Sequence, residues 1–468
     1  MPGLNHGVCT KNRNAYQVIH GEAVHTGSIE KSTELFMKAF SARPMSDLQS
    51  LADVCESIRQ RRLSPMELVT MCLDRIESLQ PRLNAFISVT AESALRAAQD
   101  AEREIQQGRW RGPLHGVPIA IKDFYDTAGI RTTAAFERFK DRVPAKDATS
   151  VERLKRAGAI VIGKTNMHTL GMGTTGLESF FGPVKNPWDA DYIPGGSSSG
   201  SAAAVASGLC FATLDTDAIG SCRLPAACCG VVGFKGSYGA IDVSGILEGE
   251  QPPDDTIRWL AHAGVTTRSV QDTALMLDVL AERTGHAGTH TWRDTLAGER
   301  QLRIGVASNV TAEKDVSLAF DGAVATLEKL GHSVGKASAP LTNLRKGIAT
   351  IEADRASIGR DAFNDIDVLV LPTMPAATPA VKDAIGNQLA LSPELTMFAN
   401  YYGLPALSVP CGVDHRGLPV GLQIVGKPFD DDAVLHLAFQ YERAAPFDVS
   451  PRRSAGAAGQ SSGPNHHA

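Results

Sequence analysis

Short apolar runs that alternate with helical segments are the feature that most limits the fold of this chain. The runs GVPIAIKD and GAIVIGKT each begin with a glycine, and the helix-like segment ATSVERLKRAG lies between them. This order is typical of a βαβ unit. Further runs with the character of buried strands follow in VLVLPT, ALSVPCGV and GLQIVG. The pattern predicts an α/β fold with a central mixed, mostly parallel twisted sheet, covered by helices on both faces.

The chain has 468 residues, and no repeat or long linker interrupts residues 45–445. We therefore expect one large domain over 45–445. Residues 1–44 mix polar residues, glycine and histidine without sustained periodicity, which indicates an N-terminal extension. Residues 446–468 are mostly small and polar, and we expect a disordered C-terminal tail.

The composition favours a small-molecule partner. Hydrophobic residues make up 43%, charged residues 21%, and the net charge is -5, so nothing indicates binding to nucleic acid or to an anionic membrane. Eight cysteines without a C-x-x-C pair argue against a disulfide framework or a zinc site. Neither a signal peptide nor a run of about 18 apolar residues is present, so we expect a cytoplasmic protein without a membrane span.

The loop PGGSSSGSAAAVASG, from Pro194 to Gly208, admits several interpretations. A flexible linker would not run directly into strong helix formers. A phosphate-binding loop would need a lysine that is absent here. The G-x-S-x-G pattern of a nucleophile elbow selects Ser198, but the preceding NPWDADYIP lacks the strand that an elbow requires.

Two other positions suggest a serine hydrolase that works without histidine. Lys122 ends the apolar run GVPIAI, and Ser221 stands in the small-residue segment TDAIGSCRLPAACCG. An isolated lysine at a strand end is typically solvated. Within a desolvated pocket, however, its pKa falls toward neutrality and it can act as a general base for a hydroxyl group.

A series of motifs between residues 46 and 443 resembles the amidase signature family of serine hydrolases. The matching stretches are LHGVPIAIKD, GKTNMH, FGPVKNPWD, IPGGSSSGSAAAVASG, TDAIGSCRLPAACCGVVGFK, DVLVLPT, and NYYGLPALSVPCG with GLPVGLQIVG. The resemblance implies a catalytic set of Lys122, Ser197 and Ser221. Ser221 follows Ser197 by twenty-four positions, as the family pattern has it.

The resemblance also implies a mechanism without metal or cofactor. Neutral Lys122 would take a proton from Ser197, which takes one from Ser221, so that Ser221 Oγ can attack the substrate carbonyl. The oxyanion hole would be formed by the backbone N–H groups of Ala218, Ile219, Gly220 and Ser221.

Supporting roles are expected for further residues. By the same resemblance, Asp217 and Arg223 would hold the nucleophile loop through charge-assisted hydrogen bonds, whereas an isolated pair of this kind is more commonly a surface salt bridge. Ser198 would orient Ser197, or simply cap the following helix. Thr174 and Thr175 are candidate substrate-binding residues.

Ile219 departs from the family pattern, which has two glycines before the nucleophile. A β-branched residue resists positive φ, so a glycine-like conformation at this position would distort the oxyanion hole. Because the N–H group of Ile219 is retained, we expect it to change the pocket wall without abolishing activity.

The sequence therefore predicts an enzyme that cleaves the C–N bond of a small amide, aryl-amide, carbamate or urea-type substrate through an acyl-enzyme on Ser221. One alternative is the A subunit of a tRNA-dependent amidotransferase, which acts as a glutaminase within a complex. A second is a catalytically altered binding homologue. The resemblance leaves a homodimer open.

Overall fold

The two apolar runs on either side of the predicted helix form neighbouring parallel strands. In the computed structural model, which describes residues 50–250, 255–281, 291–342 and 346–448, these strands are Pro118–Lys122 and Ile160–Thr165. The intervening helix is Thr149–Arg156. Lys122 therefore stands at the carboxyl end of a fully buried strand.

The described residues form eleven strands that join into one sheet. In chain order these are β1 (Phe86–Val89), β2 (Pro118–Lys122), β3 (Ile160–Thr165), β4 (Ala212–Asp217), β5 (Val232–Lys235), β6 (His262–Thr267), β7 (Arg303–Ala307), β8 (Ser333–Ala337), β9 (Val368–Pro372), β10 (Ala406–Val413) and β11 (Pro419–Gly426). Their spatial order is β1-β3-β2-β4-β6-β5-β10-β11-β9-β7-β8.

The sheet is mixed, as the sequence predicts, but it is not mostly parallel. Among the described strands, β2 runs parallel to β3 and β4, and β7 runs parallel to β8 and β9. The remaining six neighbouring pairs are antiparallel. Buried strands read as apolar runs in either direction, so the sequence pattern alone could not show that the middle of the sheet is antiparallel.

Helices flank the sheet. Those with α geometry are α1 (Leu51–Arg59), α2 (Pro65–Leu83), α3 (Ala91–Gln106), α4 (Thr149–Arg156), α5 (Ser199–Ala206), α6 (Arg223–Cys229), α7 (Asp255–Leu260), α8 (Val270–Leu280), α9 (Lys314–Lys329), α10 (Ile351–Phe363), α11 (Val381–Ala384), α12 (Met397–Tyr401) and α13 (Asp431–Ala444). Three short 3₁₀ helices are Glu137–Phe139, Thr169–Gly171 and Trp292–Leu296. The α/β class is confirmed.

All described residues fall within one compact unit, Arg43–Ala468. The predicted extension, residues 1–44, and the part of the predicted tail beyond residue 448 lie outside the described residues, so the proposed boundaries stay predictions. In the described part of the chain, no helix is long and apolar enough to cross a membrane.

Candidate active site

Lys122 is completely buried at the end of β2. Its Nζ atom lies 2.7 Å from Ser197 Oγ, 2.9 Å from Ser198 Oγ and 2.8 Å from Thr216 Oγ1. Burial lowers the pKa of Lys122 to about 8, against the opposing effect of Asp215 and other nearby acidic groups. An amine with this pKa is about one-tenth neutral at pH 7 and about half neutral at pH 8, so the form that a general base requires is accessible near neutral pH.

The serine loop is held closely against its neighbours. The peptide bond between Gly196 and Ser197 is cis. A Cβ atom on Gly196 would lie 3.0 Å from the carbonyl oxygen of Gly173 and 3.0 Å from the backbone nitrogen of Gly176. A side chain at this position would press against the backbone of residues 173–176, so glycine permits the close approach of the two backbones. The loop leads into α5, as the run of alanines predicts.

Ser198 occupies the N-cap position of α5, but its side chain makes no capping hydrogen bond. Its Oγ atom instead accepts from Lys122 Nζ and is placed to donate to the backbone oxygen of Thr216 at 3.4 Å. Its backbone N–H donates to the carbonyl oxygen of Ser221 at 3.0 Å. Of the two predicted roles, the geometry agrees with support of the site and not with capping.

The loop that carries Ser221 connects β4 to α6. The positive φ value of this loop, 127°, falls at Gly220. Ile219 is not among the described non-glycine residues with positive φ. The conformational difficulty expected for a β-branched residue therefore does not arise. The Ile219 side chain packs instead against a cluster formed by Leu260, Ile351, Met397 and Tyr401.

A buried ion pair anchors this loop. Arg223 Nη2 lies 2.9 Å from Asp217 Oδ1, and Arg223 Nε lies 3.0 Å from Asp217 Oδ2, with both side chains fully buried. Burial alone would raise the pKa of Asp217, but the charge and hydrogen bonds of Arg223 outweigh it and hold that pKa well below its ordinary value. The pair is thus an internal support and not a surface salt bridge.

The carboxylate of Asp217 also organises the backbone around Ser221. It accepts from the N–H groups of Gly220 at 2.7 Å and Cys222 at 3.1 Å. The backbone N–H groups of Ala218, Ile219 and Ser221 have no acceptor among the described residues. Three of the four predicted oxyanion donors are therefore not engaged by the described residues, and the N–H of Gly220 is occupied.

Ser197, Thr216, Ala218 and Ser221 line one cavity of about 470 Å³. Its wall is largely apolar and includes Phe124, Phe136, Phe139, Leu170, Ile246 and Leu247. Four charged side chains also border it, namely Arg138, Glu248, Glu250 and Arg258. The volume and lining suit a small ligand with an apolar portion.

Thr174 and Thr175 are buried and are not among the residues that line this cavity. The hydroxyl of Thr174 donates to the carbonyl oxygen of Leu391 at 2.9 Å, which ties two loops together. A substrate-binding role for the two threonines stays a prediction. His168 is also buried, and burial lowers its pKa to about 4, so the ring is neutral near pH 7.

Three residues of this site carried no assignment from the sequence: Thr216, Thr396 and Asn400. The alternation of β4 could have indicated Thr216, because Asp215 and Asp217 share one strand face and Thr216 takes the other. Asn400 Nδ2 donates to the carbonyl oxygen of Asp217 at 2.8 Å, and Thr396 contacts Ile219. Both stand more than 170 positions from these partners, too far for any local motif.

Comparison with known proteins places these features in a family. The model of the family described as Amidase matches residues 67–353 and 342–435. The A subunit of the glutamyl-tRNA(Gln) amidotransferase from Carboxydothermus hydrogenoformans is 33% identical, over 85% of this chain and 97% of that protein.

Solved structures are similar as well. The peptide amidase of Stenotrophomonas maltophilia superimposes with a TM-score of 0.77 at 26% identity and covers 88% of this chain and 100% of that one. The 6-aminohexanoate cyclic dimer hydrolase complexed with substrate gives 0.73 at 27% identity, with 85% and 97% coverage. The chain belongs to the amidase signature family.

Proposed function

We propose that this enzyme hydrolyses the C–N bond of a small amide through an acyl-enzyme on Ser221. The observation that carries the proposal is the 2.7 Å contact between the buried Nζ of Lys122 and Ser197 Oγ, in the cavity that Ser221 also lines. A buried amine beside a hydroxyl is a base–nucleophile arrangement that needs no histidine.

The surroundings of Lys122 suggest the direction of proton transfer. A neutral amine has two N–H donors and one lone pair, and three hydroxyl groups surround this one. The Ser198 hydroxyl can donate to the Thr216 carbonyl oxygen, so it is free to accept from Lys122. If Thr216 accepts the second N–H, the lone pair faces Ser197 and receives its proton.

The reaction then follows in balanced steps. Ser221 Oγ loses its proton to Ser197 as it bonds to the substrate carbonyl carbon, while Ser197 passes its own proton to Lys122. The negative oxygen is stabilised by the free N–H groups of the nucleophile loop. Return of the proton to the leaving nitrogen breaks the C–N bond. Water, deprotonated by the same relay, releases the acid from Ser221.

The cavity suggests the substrate class. Burial of an apolar acyl or aryl group against its aromatic and aliphatic wall would stabilise the bound complex. We therefore propose small linear amides with such a group, including anilides, as the first class. Carbamates and urea-type compounds present the same carbonyl chemistry and form the second.

A second candidate is glutamine hydrolysis as the A subunit of a tRNA-dependent amidotransferase. The specific observation in its favour is the 33% identity to such a protein over most of both chains, which is higher than the identity to the amide hydrolase structures. In this case activity would need partner subunits, and charged residues at the cavity would bind the ammonium and carboxylate groups of glutamine.

One set of assays tests both. The purified chain is treated with a fluorophosphonate probe, and its hydrolysis of an N-acyl 4-nitroanilide series and of L-glutamine is measured. We expect a phosphonyl adduct on Ser221 and turnover of apolar anilides without partners. Glutamine hydrolysis that appears only with amidotransferase partner subunits would favour the second candidate. Absence of an adduct on Ser221 would exclude both and favour a binding homologue.

A further inference from the structure

Thr396, at the start of α12, reaches across the fold to the backbone of the nucleophile loop. Its Oγ1 atom lies 2.5 Å from the carbonyl oxygen of Ile219. A second acceptor, the carbonyl oxygen of Pro393, is farther away at 3.1 Å. A hydroxyl group has one proton to donate, so the shorter contact identifies Ile219 as the favoured acceptor.

This contact fixes the orientation of one peptide group. In a trans peptide the C=O and the following N–H point in opposite directions. Thr396 holds the carbonyl oxygen of Ile219 on one side, and Asp217 Oδ1 accepts from the N–H of Gly220 on the other at 2.7 Å. The Ile219–Gly220 peptide is thus held at both ends and cannot turn its N–H toward the cavity.

Thr396 is itself held in place by the same network. Its carbonyl oxygen accepts from Arg223 Nη1 at 3.0 Å, and Arg223 also makes the ion pair with Asp217. A Cβ atom on Gly220 would overlap the Thr396 hydroxyl. The contact between helix start and loop therefore depends on the absence of a side chain at Gly220.

We propose that Thr396 is a positioning residue for acyl transfer. By fixing the Ile219–Gly220 peptide, its hydroxyl keeps the N–H groups on either side, those of Ile219 and Ser221, in place to bind the developing oxyanion. The inference rests on the proposed function. It assigns Thr396 no contact with the substrate, and its effect is exerted on the transition state and not on ground-state binding.

The test compares Thr396→Val, which removes the hydroxyl at nearly constant volume, with Thr396→Ser, which keeps it. Thr267→Val is the matched control. Thr267 is also buried, and its hydroxyl donates to the backbone carbonyl oxygen of Ser269 at 2.8 Å. It lies at one end of β6, whereas His262, which pairs with Asp217, lies at the other end. Measurements are kcat and KM on an acyl 4-nitroanilide, inhibition by phenyl trifluoromethyl ketone, and thermal unfolding.

We expect Thr396→Val to lower kcat by about 10- to 100-fold, with KM changed less than about twofold, because oxyanion donors act mainly in the transition state. Affinity for the trifluoromethyl ketone, whose adduct places negative charge on oxygen, should fall by a similar factor. Thr396→Ser should recover most of both losses. Thr267→Val should change the unfolding temperature but leave both kcat and ketone affinity within about twofold of the wild-type values.

Two results would overturn the inference: kcat within twofold of the wild-type value in folded Thr396→Val, or a lower kcat with unchanged ketone affinity. If Thr396→Val does not fold, Thr396→Cys replaces the hydroxyl by a weaker donor and is judged by the same two criteria. Failure of the proposed function is distinguishable, because the wild-type chain would then lack both the Ser221 adduct and anilide turnover.

Discussion

Ser198 Oγ lies 2.9 Å from Lys122 Nζ, so the serine selected by the G-x-S-x-G pattern shares the buried amine with Ser197, whose Oγ lies at 2.7 Å. The two serines nevertheless differ in surroundings. Ser197 lines the cavity with Ser221, whereas Ser198 is not among the lining residues and can donate to the backbone of Thr216. We therefore expect these adjacent hydroxyl groups to serve different purposes.

Alanine substitutions should distinguish the roles of Ser197 and Ser198. Ser197→Ala removes the proposed proton bridge and is expected to lower kcat/KM by about 10²- to 10⁴-fold, the usual contribution of general base catalysis. Ser198→Ala removes one hydrogen bond to Lys122 and should cost roughly tenfold. Steady-state kinetics on one anilide substrate checks the order, and equal losses in both variants would contradict it.

The pH dependence of the reaction should report Lys122. The proposed mechanism needs the neutral amine of Lys122, and burial lowers its pKa to about 8. We therefore expect kcat/KM to rise with pH and to level off above about pH 8. Lys122→Met should abolish this dependence together with most of the activity.

Lys164 is a matched control for that assignment. It is also fully buried, and burial lowers its pKa to about 8, but its Nζ donates to Thr132 Oγ1 at 2.7 Å and it is not among the cavity residues. Lys164→Met should lower stability and leave the midpoint of the pH profile unchanged in the folded fraction. A shifted midpoint in this variant would show that the pH profile reports Lys164 and not Lys122.

The loop that carries Ser221 should require a glycine at Gly220 and not at Ile219. Gly220→Ala places a Cβ at a φ of 127° and against the Thr396 hydroxyl, so we expect a loss of about 1–3 kcal/mol in the free energy of unfolding. Ile219→Val keeps the packing of this side chain and should change both stability and Ser221 labelling little. Denaturant unfolding and fluorophosphonate labelling measure the two effects. Loss of labelling in Ile219→Val alone would reverse the assignment.

The sequence predicted those parts of the site that local motifs encode. The motifs by which the chain resembles the amidase signature family contain Lys122, Ser197 and Ser221, so all three proposed catalytic residues could be named before their proximity was known. Thr396 could not, because its role depends on a contact with Ile219 that only the folded chain creates.

The fold, too, could be predicted from the sequence only in part. The strands β2, β3, β9, β10 and β11 coincide with apolar runs that the sequence identifies. Their directions follow from connections and from pairing partners distant in sequence. This is why the predicted mostly parallel sheet proved to be antiparallel through its middle, from β4 to β9.

Removal of one partner of the Asp217–Arg223 pair should lower the free energy of unfolding more than replacement of both residues. Arg223→Met leaves a buried carboxylate without its partner, and we expect a loss of about 3–5 kcal/mol in the free energy of unfolding. Asp217→Asn combined with Arg223→Met removes both charges and should recover part of that stability. Activity should stay low in the double variant, because the carboxylate accepts from two loop N–H groups through its two oxygens, whereas the amide has only one acceptor oxygen.

Acid should distinguish the wild-type chain from the double variant. Because the folded-state pKa of Asp217 is held below its ordinary value, the pair contributes stability above about pH 4, where the unfolded carboxyl is also ionised, and loses it as the pH falls further. The wild-type free energy of unfolding should therefore decrease more steeply below pH 4 than that of the double variant. Parallel curves from denaturant titrations at pH 3, 4 and 6 would show that the pair does not contribute this acid-sensitive stability.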